Sequence, residues 1–150
     1  MQTVKKIFDM KIEQSQDIEL NETSEGNLLI SVNSGGEFSG EQLSGRILPF
    51  GFSTTYSPAD GLNRIYESVL LETEDGAHIF MKIDAYLHLP QELEDRFLAG
   101  EKVPADEYYY KGSVRFEVEK SSYQWLENRI YVCTGVIEDW SSLRFAVYEA

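Results

Sequence analysis

The sequence predicts an all-β fold: a single closed or nearly closed antiparallel β-barrel of about 8–10 strands, with one short helix over about residues 91–99. Three observations carry this. Apolar and polar residues alternate with period 2 along most of the chain, the signature of strands with one buried face. Glycine-containing turn steps interrupt the alternation at short intervals. The stretch from Asn63 to Tyr86 places two long strand-compatible runs on either side of Glu74-Asp75-Gly76.

The elements follow in order. Phe8, Met10 and Ile12 alternate with Asp9, Lys11 and Glu13 and form the first strand. A second short run, Ile18 to Leu20, leads into Ser24-Glu25-Gly26-Asn27, a turn before the apolar run Leu28 to Val32. Glycines at 35, 36, 40, 45 and 51 then punctuate Phe38 and Leu43 to Leu48, as bulges or bends do where a sheet curves to close, and Pro49 ends that run. The Asp75-Gly76 step suits a two-residue type I′ hairpin loop. After it, Ile79, Met81, Ile83, Ala85 and Leu87 make one apolar face. His78, Phe80, Lys82, Asp84, Tyr86 and His88 make a mixed one, facing either solvent or a polar-lined cavity.

Pro90 fits a first helical position, Glu92, Glu94 and Asp95 favour the N-terminal half, and Gly100 suits a left-handed cap, so a helix runs from Gln91 to Ala99. Leu93 and Phe97 share its inner face, which makes it a plug or lid over an opening of the barrel. Tyr108 to Glu119 alternates again, and Ile130 to Ile137 and Leu143 to Tyr148 complete the set. Closure removes the exposed sheet edges that an open arrangement would leave.

Residues 1–150 are expected to form one β-barrel domain, long enough for a core without disulfide staples. The 42% hydrophobic and 13% aromatic content excludes a disordered chain. With 26 Asp and Glu against 13 Lys and Arg the formal charge is −13, which repels phosphate backbones and anionic lipid, so neither nucleic acid nor membrane is expected as a partner. Cys133 is the single cysteine and cannot form an internal disulfide. The opening Met1-Gln2-Thr3-Val4-Lys5-Lys6-Ile7-Phe8 reaches Asp9 before any signal-length apolar run, which makes a cytoplasmic location the expectation.

The order and spacing of Gly36-Glu37-Phe38-Ser39-Gly40, Leu43 to Pro49, Thr73-Glu74-Asp75-Gly76-Ala77, Glu107-Tyr108-Tyr109, Arg115-Phe116-Glu117, Tyr123-Gln124-Trp125-Leu126 and Val147-Tyr148-Glu149 resemble the domain-of-unknown-function 3237 family over essentially the full chain. The resemblance implies a small, mostly antiparallel β-barrel and no established reaction. That family tends to place an Arg before the Thr-x-Asp-Gly turn, Asn and Gly on the returning strand, Arg-Thr-x-Pro after the tyrosines and Asn after Trp-Leu. This chain has Ser68, Ile83, Ala85, Lys111 to Val114 and Glu127 there. A site lined by those family residues is lost or rebuilt in this member.

No metal ligand set or cofactor is expected. His78 and His88 lie roughly 33 Å apart along an ideal strand, and Cys133 reads as a buried thiol. No nucleophile elbow or phosphate-cradling glycine loop occurs. Tyr108-Tyr109-Tyr110 with Lys111 and Arg115 is the densest grouping of aromatic bodies and cationic heads, suited to an acidic or anionic aromatic molecule. Asp84 and His88 share strand parity and suit a base and its orienter at a barrel mouth. Tyr110, Lys111, Arg115, Asp84 and His88 are therefore the candidate ligand-binding residues. The leading expectation is a barrel that binds a small molecule in its interior. The alternatives are a cofactor-independent isomerase, cyclase or lyase, and a homo-oligomeric interaction protein that buries an outer apolar face.

Overall fold

The computed structural model describes residues 4–59 and 61–150; Met1, Gln2 and Thr3, which open the stretch read for a leader, lie outside them. Among the described residues nine antiparallel strands form one sheet: β1 (Lys5–Thr23), β2 (Gly26–Ser39), β3 (Ser44–Ile47), β4 (Phe52–Ala59), β5 (Leu62–Thr73), β6 (His78–His88), β7 (Tyr109–Val118), β8 (Tyr131–Asp139) and β9 (Ser142–Glu149). Their order is β1-β9-β8-β7-β6-β5-β3-β2-β4, and the further pairing of β1 with β2 closes the ring. β3 and β4 are successive halves of one position. Each lies between β2 and β5, β3 against Gly36 to Ser39 and β4 against Asn27 to Val32. The barrel therefore has eight staves, one of them interrupted at Leu48 to Gly51.

The two short runs expected around Phe8 and Ile18 belong to one 19-residue strand. A bulge permits this: the β1–β2 register shifts between Glu13, Gln14 and Gln16, opposite Gly35 and Asn33. Gly36 here has φ +141, and a Cβ on it would lie 2.0 Å from the Lys11 carbonyl oxygen. Only a residue without a side chain lets the two strands approach at this bend.

The Asp75-Gly76 hairpin differs from the expected type I′ loop. Such a loop needs two left-handed residues, and only Gly76 is left-handed here, at φ 88. The Gly76 N–H donates to the Thr73 carbonyl and the Thr73 N–H to the Ala77 carbonyl, so three residues span the turn. The Thr73 hydroxyl decides the geometry, lying 2.5 Å from Asp75 Oδ1 while accepting from the Ala77 N–H.

Helix α1 (Gln91–Leu98) begins after Pro90, which serves as its cap rather than its first turn. It stops at a left-handed Gly100, whose N–H donates to the Phe97 carbonyl while the Glu101 N–H donates to that of Arg96. Arg96 ties the helix end to Glu101 and Glu107. No described helix is long and apolar enough to cross a membrane.

Core side chains divide the barrel lengthwise. One half is solid: Phe38, Phe8, Phe116 and Tyr131 stack edge to face in a chain, with centroid separations of 5.5, 6.2 and 4.9 Å, among Ile47, Leu71, Ile79 and Met81. The other half is hollow.

Candidate functional site

The inward-facing residues of β5 include Ile65, Glu67, Val69 and Leu71. Three are apolar, and the fourth places a carboxyl inside the barrel. Glu67 is 2% exposed, and neither of its oxygens has a hydrogen-bond partner among the described residues. Loss of hydration pushes its pKa up from 4.5 to about 8; the Ser53 hydroxyl, close by but outside hydrogen-bond geometry, pulls partly the other way. Opposite, from β7, the buried Tyr110 hydroxyl is likewise unpartnered, and its pKa is raised by burial and then by the proximity of Glu67. Gly135 makes room for that ring: a Cβ there would lie 2.7 Å from Tyr110.

These groups line a cavity of about 790 Å³ that opens at one end of the barrel. This is the size range of small-molecule sites. Its walls combine Leu29, Ile65, Leu87, Ile137 and Leu143 with a polar flank, in which Gln14 Nε2 donates to Asn33 Oδ1 at 3.2 Å and to Ser53 Oγ at 3.1 Å. Asn33 in turn donates to the Ser68 carbonyl, which locks the flank to β5. The mouth exists because β1 outruns its neighbour. Pairing with β9 ends at Glu13, and the rest of the β1–β2 hairpin stands out as one wall. Helix α1 and the Asp139-Trp140 turn form the opposite side. Leu93 and Phe97 bury the inner face of the helix, Phe97 at 5.7 Å from the Trp140 ring, and Gln91, Glu94 and Leu98 reach the opening.

Of the five residues singled out from sequence, Tyr110 faces this cavity and the other four lie on the outside of the barrel. The mixed face of β6 is the outer one, because Ile79, Met81, Ile83 and Ala85 take the interior. Asp84 there receives both Arg64 Nε and Arg64 Nη2 at 2.9 Å. His88 lies against the Tyr109 ring at 5.2 Å, and Lys111 sits 5.4 Å over that same ring. Asp84 and Lys111 share an outer groove with Arg64, Tyr86 and Tyr148, whereas Arg115 is an exposed cross-strand neighbour of Lys82. Asp84 and His88 do not meet at the mouth. Cys133 is buried, its thiol pushed up to about 12 by desolvation. Among the described residues no group of His, Cys, Asp and Glu is placed to hold a metal ion.

Sequence reasoning missed Glu67, Gln14, Asn33 and Ser53. A signal for the first was present: within Ile65-x-Glu67-x-Val69-x-Leu71, one charge occupies the parity of three aliphatic residues. The positions where this chain departs from its resemblance pattern are partly structural here. Ile83 and Ala85 fill the interior, and Glu127 accepts the Val118 N–H at 2.6 Å.

Comparison with known proteins agrees with this architecture. The family model described as "Protein of unknown function (DUF3237)" matches residues 2–150. A UPF0311 protein of Rhodopseudomonas palustris is 32% identical over 98 residues, 65% of this chain and 64% of its own; the chain thus spans less than two thirds of that relative's length. Among solved structures, a conserved protein of unknown function from Rhodopseudomonas palustris superposes with a TM-score of 0.89 at 26% identity, covering 98% of this chain and 96% of its own. A β-barrel-like protein from Acinetobacter baumannii superposes with a TM-score of 0.82 at 28% identity, covering 98% and 94%.

Proposed function

Because the chain belongs to the DUF3237 family, whose description carries no reaction to inherit, we propose from its own geometry that it binds a small organic molecule inside the barrel. The observation that carries the reading is an open cavity of about 790 Å³ whose lining includes the buried, unpartnered Glu67. A natural core avoids a buried polar group without partners, because each costs about 1 to 3 kcal/mol or more. A retained one calls for a role, and completion by a bound ligand supplies one. Apolar walls beside the Gln14–Asn33–Ser53 flank supply the mixture of burial and orientation that small-molecule sites use.

A second reading, a cofactor-independent isomerase, cyclase or lyase, draws support from the same carboxyl. A Glu held near pKa 8 exchanges protons close to neutral pH, as general acid–base catalysis requires, with the Tyr110 hydroxyl as a second donor. Binding is the premise of both readings.

Nile red, a neutral apolar dye, tests the premise by fluorescence titration. The expected result is a blue-shifted, saturable signal that weakens about tenfold or more in Thr55→Trp, which fills the cavity with an indole, and is unchanged in Lys111→Ala and Arg115→Ala on the outer face. Dye binding lost with Lys111→Ala and indifferent to Thr55→Trp would assign the ligand to the outer groove instead.

A further inference from the structure

Charge around the cavity is one-sided. Among the described residues its charged lining consists of Asp17 and Glu19 from β1, Glu67 from β5, Glu94 from α1 and Asp139 from β8, with no Lys, Arg or His. Lys11, on the same strand as Asp17 and Glu19, is turned to Glu13 and Glu138, each at 3.5 Å. Four of these acids stand at the rim and are wholly or partly exposed; Glu67 alone is deep, 2% exposed, with both oxygens unpartnered. Rim carboxylates on a chain of net charge −13 concentrate cations at the opening. Behind the rim, Ile65, Leu87, Ile137 and Leu143 form an apolar wall, beside which a charge-assisted hydrogen bond to a carboxylate strengthens.

From this arrangement we infer that the cavity takes a small organic cation, an ammonium group on an apolar body, with the ammonium against Glu67 and the body among Ile65, Leu87, Ile137 and Leu143. The inference rests on the proposal that the interior binds small molecules, and it names their class. An anionic ligand meets four rim carboxylates and no compensating base. A neutral ligand draws nothing from the rim charge.

Cation binding also moves a proton. Empty, the desolvated Glu67 holds its proton at neutral pH. The titratable groups facing it, Tyr110 from β7 and Cys133 from β8, are themselves kept protonated by burial, and the rim acids Asp17, Glu19, Glu94 and Asp139 surround the opening. When R–NH₃⁺ arrives, Glu67 becomes the carboxylate partner. The ammonium keeps its three protons and the carboxyl proton leaves to the buffer, so charge and atoms balance with about one proton released per ligand.

Calorimetric titration of the full chain with n-hexylamine, 1-hexanol and hexanoate at pH 7, in two buffers of different ionisation enthalpy, tests this. Hexylammonium is expected to bind at least about tenfold more tightly than hexanol, hexanoate most weakly, with about one proton released for hexylammonium alone. Glu67→Gln is expected to bring hexylamine down to the hexanol affinity and to abolish proton release, while Nile red still binds and thermal unfolding stays cooperative. Equal or tighter hexanol binding, or a Glu67→Gln variant that keeps the amine preference, overturns the inference. Nile red binding in the same samples separates the two failures: dye retained means the cation class is wrong and the interior site stands, whereas dye and all three probes absent from folded protein removes both.

Discussion

Glu67→Gln raises stability above pH 8 by about 3 to 5 kcal/mol and flattens the pH dependence between 5 and 8, as read by urea unfolding across that range. The sign follows from the direction of the shift. Between 4.5, where the unfolded carboxyl ionises, and about 8, where the native one does, the native state holds a proton that the unfolded chain has released. Stability therefore falls as pH rises through that window, by about 1.4 kcal/mol per pH unit at its steepest. Glutamine has nearly the same shape and no proton to lose. At pH 5 the two proteins are expected to unfold at closely similar urea concentrations. Four carboxylates act in the opposite sense at lower pH. The Glu72 pKa is lowered by His78 and Arg46, that of Asp75 by Thr73 and Tyr123, that of Glu138 by Arg144, and that of Asp139 by Ser141. Their stabilisation is present above the ordinary carboxylate range and lost as pH falls through their depressed values. Together with Glu67 they favour a stability maximum below neutrality.

Phe8→Ala costs about 3 to 5 kcal/mol in chemical denaturation, a large share of the roughly 5 to 15 kcal/mol that holds a domain of this size folded. Phe8 is fully buried and is the shared member of two aromatic pairs, with Phe38 on β2 and Phe116 on β7. Its removal opens a void bounded by two distant parts of the ring, which cannot collapse without breaking the closure of β1 on β2 and β9. Phe50→Ala, at a residue 62% exposed, shifts the same transition by no more than about 0.5 kcal/mol. Nile red binding is expected to survive Phe8→Ala at temperatures where the protein stays folded, because Phe8 lies in the solid half and lines no part of the cavity.

The fold was largely legible because period-2 alternation reports a local fact, which side of a strand faces the core. It located the hairpin at Gly76, the helix after Pro90 and the glycine bends of β2 and β3. It did not show that Ile18 continues the strand of Phe8, because the bulge at Glu13 and Gln14 is defined by Gly35 and Asn33 on another strand. The site was less legible. Aromatic and cationic density drew attention to Lys111 and Arg115, yet strand parity places both outside once Tyr110 and Val114 take the interior. Parity alone does not say which face of β6 is inner when both carry large residues; Phe80 and Tyr86 matched Ile79 and Met81 in bulk, and only closure of the ring decides between them. The Gln14–Asn33–Ser53 flank joins β1, β2 and β4, brought together by a bulge and an interrupted stave that no local pattern encodes.

The most direct test of an accessible barrel interior lined by Glu67 is residue-by-residue NMR mapping of the full chain titrated with Nile red. Saturable shifts confined to inward-facing positions, Ser53, Glu67, Tyr110, Ile137 and Leu143, with Asp84, Lys111 and Arg115 unmoved, are expected. Shifts confined to Asp84, Lys111 and their neighbours on the outer groove, with the inward set silent, would contradict an accessible interior.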